Sequence, residues 1–135
     1  MDYSTEELMR EDFARVVELN NQIRAGQGPD IGHNVEYGLQ MAAAERNTFV
    51  RAWAVGEHAG RWDLLRGAHT AFDLVPEAMV KLYGDTESGR DDHGLDGVDQ
   101  RSIRQAGELH GRTNPDLRQA LIAAARRRPP IERGR

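Results

Sequence analysis

Histidines and carboxylates are the first residues to weigh, because helical proteins often hold metal ions between facing helices. His69 and Asp73 stand four apart, which puts both on one face of a helix. Glu45 lies in another helix-forming stretch, with His33, Glu36, Glu57 and His58 near its ends. A di-iron carboxylate bundle needs Glu-x-x-His on two helices and a Glu from each of two others. No Glu-x-x-His occurs in the chain. His69 also falls within an apolar stripe, where a hydrogen-bonded core histidine is expected rather than a ligand. Neither a metal nor any other cofactor is expected.

Three further chemistries can be weighed in the same way. The loop containing Asp92, Gly94, Asp96 and Gly97 invites a calcium reading. Counted from Asp92, however, position three is Gly94 and position twelve is Ile103, where an EF-hand needs a ligand and a bidentate glutamate. The loop is expected to be solvated. No glycine-rich phosphate loop, nucleophile elbow or metalloprotease motif is present, and there is no cysteine. A non-enzymatic protein is therefore expected, with no catalytic residue.

Arginine carries the remaining signal. Residues 1–97 hold nine basic and eighteen acidic side chains, whereas residues 98–135 hold nine arginines and four acids. The net charge of −4 hides this asymmetry. Ser102 to Leu109, a short turn, and Asn114 to Arg127 resemble a helix-turn-helix in outline. Arg112, Arg118, Arg126, Arg127 and Arg128 are the candidate nucleic-acid contacts on that reading. Against it, Asp116 sits at the end that would meet the bases. The arginines near position 127 also complement the helix dipole without any partner.

The elements that must carry these residues are helices. Ser4 and Glu7 form a capping-box pattern, and the first helix is expected over about 5–24, with Phe13, Val16, Val17 and Ile23 on one face. Gly26, Gly28 and Pro29 stop it. A second helix is expected over about 35–57, along Val35, Leu39, Ala42, Ala43, Phe49, Val50 and Trp53. A third starts near Arg61, with Trp62, Leu65, Ala68, Phe72, Val75, Met79 and Leu82 as its stripe. Pro76 either kinks it or opens a new helix. Residues 84–97 are a loop. A short helix follows over about 98–109, and Asn114-Pro115 starts a last one reaching about Arg127.

The fold class expected is all-α: a three-helix bundle followed by a smaller C-terminal helical hairpin and a basic tail. At 135 residues a single domain is expected, made of an acidic bundle over 1–83, a loop over 84–97, a basic hairpin over 98–128 and a tail over 129–135. With 39% hydrophobic and 30% charged residues and no long apolar run, a cytoplasmic protein is expected, with no membrane partner.

The last helix is mostly Leu and Ala and follows a polar loop. Leu117, Leu121 and Ile122 are therefore the candidate partner-binding residues. The function expected is a non-enzymatic assembly or adaptor protein that packs with itself or a protein partner. At the level of class it resembles the small helical connector and structural proteins of phage particles, which implies a structural part in a multi-subunit complex. The alternative is a DNA-binding protein that uses the C-terminal helix pair and its arginines.

Overall fold

The computed structural model describes residues 1–29, 32–87 and 94–126. Among these described residues six helices follow in order: α1 (Tyr3–Ala25), α2 (Val35–Ala54), α3 (Ala59–Leu74), α4 (Pro76–Glu87), α5 (Gly97–Gly111) and α6 (Pro115–Arg126). The class is all-α, with no strand among the described residues. No described helix is long and apolar enough to cross a membrane. Asp92, Arg127, Arg128 and the 129–135 tail lie outside the described residues.

The chain forms two units, one over Met1–Trp62 and one from Asp63 onward. The division thus falls within α3 and not at the 83/84 boundary that composition suggests. The apolar spacing runs on across Pro76, so the sequence shows no seam there. The chain divides earlier, between Trp62 and Asp63, and α4 packs with α5 and α6 in the second unit.

In the first unit the helix ends are set by side chains and glycine. Asp2 is the N-cap of α1, its carboxylate accepting from the Thr5 N–H at 2.8 Å. Ser4 lies inside the first turn instead, so the expected capping box does not set the start. Gly26 ends α1 at φ 68°, a conformation that costs glycine little. Its N–H donates to the Ile23 carbonyl, and the Gln27 N–H donates to that of Gln22, so two otherwise unpaired carbonyls are met. Asn34 caps α2 by accepting from the Tyr37 N–H at 2.9 Å.

Helices α1 and α2 run antiparallel, as the pairs Asp12–Trp53, Arg15–Glu45 and Asn20–Arg46 require. Met9, Phe13, Val16, Val17 and Leu19 of α1 are buried, as are Ala42 and Trp53 of α2. Trp62 meets Phe13 edge-on at 5.4 Å and lies parallel to Trp53, with centroids 6.2 Å apart. The Trp53 Nε1–H donates to Asp12 at 2.8 Å, so this indole is buried with its donor met. Gly28 passes close over α2. A Cβ there would stand 2.6 Å from the Gly38 carbonyl carbon, so only glycine fits the crossing. Val35, expected in the α2 stripe, is exposed instead, because it sits in the helix's first turn.

In the second unit Pro76 opens a new helix. Val75 still donates to the Ala71 carbonyl at 2.8 Å and accepts from the Met79 N–H at 3.2 Å. Proline has no N–H to lose at a first helical position, so the chain turns there cheaply. Each of α4, α5 and α6 packs on the other two. Small residues let them approach: a Cβ on Gly84 would be 3.2 Å from the Ala124 Cβ. One on Gly107 would be 2.8 Å from the Phe72 ring. Asp96 caps α5, and Asn114 caps α6 by accepting from the Leu117 N–H at 3.1 Å.

Candidate functional site

Leu117 and Leu121, expected to bind a partner, are only 5% and 4% exposed. With Ala124 they form one face of α6, which packs on α4 and α5. In this fold they belong to the core of the second unit. The sequence hid this because apolar spacing shows that a face is buried but not what covers it; α6 packs on α4 and α5, and Leu121 lies against Gly111 of α5. Ile122 lies about 100° round the helix from Leu121 and stays half-buried.

Arg112, Arg118 and Arg126 are exposed. Because Gly111 has no side chain, α6 packs closely there. A Cβ on Gly111 would touch the Arg118 Cβ at 3.4 Å, so Arg112 and Arg118 share one corner. Among the described residues no acidic side chain pairs with these three arginines. Elsewhere in the unit Arg66 pairs with Asp63, Lys81 with Asp85 and Arg104 with Glu87, at 3.3 to 3.8 Å. Asp116 and Glu108 are exposed as well, so the region is mixed in charge.

The histidine and carboxylate candidates are mostly engaged in structure. Glu45 receives two bonds from Arg15, at 2.7 and 3.0 Å, and this holds its carboxyl below the usual range. The pair is partly exposed, which limits it to about 1 kcal/mol or less. His58 lies beside Trp53 at 5.9 Å and 3.5 Å from Glu57. His69 is half-buried and its ring centre lies 5.0 Å from that of His110, a neighbour 41 residues away that spacing could not reveal. The His110 Nε2 is 3.8 Å from Asp73. Among the described residues no three His, Asp or Glu side chains converge closely enough to hold a metal ion.

Tyr83 is a perturbed acid in the second unit. Burial pushes its phenol up to about 12, and the negative charges of Glu108 and Glu87 add to the effect. Ultraviolet titration should therefore show one of the three tyrosines ionising near 12. The folded state keeps that proton at a pH where an unfolded chain, with its phenol at 10.0, has lost it. Stability should accordingly fall as pH rises above 10. In a Tyr83→Phe variant the late-ionising group should be missing.

One surface was not visible in the sequence. From Tyr37 to Val55 the exposed positions of α2 and its C-cap are Tyr37, Gln40, Met41, Ala44, Asn47, Thr48, Arg51, Ala52, Ala54 and Val55. Only Arg51 is charged, in a chain whose residues are 30% charged. Within this set Tyr37, Met41, Ala44, Thr48, Arg51 and Val55 repeat at alternating steps of four and three, the seam of a coiled coil. The two polar members turn inward on their own helix. The Thr48 hydroxyl donates to the Ala44 carbonyl at 3.0 Å, and the Arg51 Nε–H to the Asn47 carbonyl at 3.3 Å. Apolar spacing marks the core face of α2, and only the three-dimensional structure shows that the second stripe is uncovered.

No family model, curated protein or solved structure matches the chain.

Proposed function

We propose that this chain is a non-enzymatic assembly protein whose helical surface packs with itself or with a protein partner. The observation that carries the reading is the exposed surface of α2 from Tyr37 to its C-cap, with one charge across ten positions and a coiled-coil spacing of its larger groups. A solvated helix face normally carries charge at several such positions. The final helix supports this reading less than its sequence suggests, since Leu117 and Leu121 are already buried. Deleting residues from Val98 onward would strip α4 of both its packing partners and is a poor test.

A point change on α2 is cleaner. Met41 is 44% exposed, so Met41→Glu should leave the helical circular dichroism and thermal midpoint nearly unchanged. It should remove any concentration-dependent rise in native mass measured by light scattering. Association that survives this change would place the assembly surface elsewhere.

A second reading is nucleic-acid binding through α5, its turn and α6. The observation favouring it is that among the described residues Arg112, Arg118 and Arg126 are exposed with no acidic side chain paired to them, and Arg112 and Arg118 share one corner. Binding to duplex DNA should then weaken linearly with the logarithm of salt concentration. The Arg112→Ala/Arg118→Ala variant should reduce that slope by about 2, from roughly 0.9 per phosphate contact. An unchanged slope, or no binding at low salt, would remove this reading.

A further inference from the structure

We infer that the α2 face receives a second copy of this chain, with the two α2 helices antiparallel about a two-fold axis near position 46. The inference rests on the assembly reading and deepens it by naming the occupant and its orientation. A two-fold contact brings one surface against itself, so a face dominated by charge of one sign would repel its copy. From Tyr37 to Val55 this face avoids that conflict, since Arg51 is its only charge. Of the carboxylates at its margin, Glu45 is held by Arg15 of its own chain, and Glu36 lies in the first turn, just before Tyr37.

Shape favours the antiparallel register. Pairing about position 46 sets Ala44 against Thr48 at the centre, two small side chains that let the helices come close. Met41 then meets Arg51, whose alkyl stem can cover the thioether while its head remains in water. Tyr37 meets Val55 at each end, and these are 46% and 72% exposed in the single chain. Small residues thus meet at the middle and larger ones at both ends. In a parallel pair Arg51 would face Arg51, which this register avoids. The Thr48 hydroxyl and the Arg51 Nε–H already donate within their own helix, so these two donors need no partner across the seam.

Absence of native cysteine makes the register directly measurable. Met41→Cys and Arg51→Cys are prepared as separate full-length variants, checked by circular dichroism, and oxidised alone and mixed. In the antiparallel pair Met41 of one copy faces Arg51 of the other, so a covalent dimer should form in the mixture. Met41 and Met41 of the two copies would stand about 15 Å apart along the axis, ten residues at 1.5 Å each. Each variant alone should therefore stay largely uncrosslinked. A covalent dimer from Met41→Cys alone would overturn the proposal in favour of a parallel pair. Wild-type protein that light scattering finds dimeric, with no crosslink in the mixture, would also overturn it, while assembly through another face would stand. A wild-type chain monomeric at every concentration would overturn self-association altogether, leaving assembly with a different protein as the surviving part of the reading.

Discussion

Trp62→Ala should cost about 3–5 kcal/mol, the usual range for emptying a buried aromatic site. Trp62 is 1% exposed, meets Phe13 edge-on and lies parallel to Trp53. Its removal would leave a cavity lined by two aromatic rings that their own helices hold in place. The measurement is equilibrium urea unfolding, read as a lower midpoint at an unchanged slope. Trp62→Phe makes the comparison sharper. Among the described residues the Trp62 Nε1–H is buried with no acceptor, and such a group costs about 1–3 kcal/mol to desolvate. Phenylalanine loses volume but also removes that unmet donor, so it should cost much less than alanine. Trp53→Phe should behave differently, because the Trp53 donor is met by Asp12. A loss under about 1 kcal/mol for Trp62→Ala would mean that the ring is not packed as described.

The helices were legible in the sequence wherever a local signal set them. Asn114-Pro115, Gly26 and Pro76 each act through their own backbone or through a neighbour within a few residues, and each marks a helix end in the structure. The cap at Asp2 was misread as Ser4 because two capping residues lie two positions apart and local pattern does not rank them. The division of the chain was not legible. The stripe through Trp62, Leu65, Phe72 and Met79 keeps helical spacing throughout, and periodicity records that a face is buried but not against what. The α2 seam was missed for the same reason reversed. A run rich in alanine satisfies the core pattern on one side and an exposed stripe on the other, and composition cannot separate them. The His69–His110 approach depends on tertiary packing between α3 and α5, which no spacing rule reaches.

Leu121→Ala decides between two roles that the sequence left open for α6. If the side chain belonged to a partner surface, truncating it would weaken association and leave the single chain's stability within about 0.5 kcal/mol, as for an ordinary surface change. At 4% exposure it should instead cost about 2–5 kcal/mol in the isolated protein. The position within that range depends on how far α4 and α6 can close the gap. Gly84 already brings α4 within 3.2 Å of Ala124, if a Cβ is placed on it, and little slack remains for collapse. The upper half of the range is therefore expected. Leu117→Ala should behave alike, since it lies one turn earlier on the same face. Ile122, half-buried on a different face, should cost less when truncated. All three changes leave the exposed α2 face untouched, so native mass should not respond to them under conditions where the chain stays folded. A Leu121→Ala protein of normal stability but altered mass would return α6 to the role of partner surface and remove the reason for assigning assembly to α2.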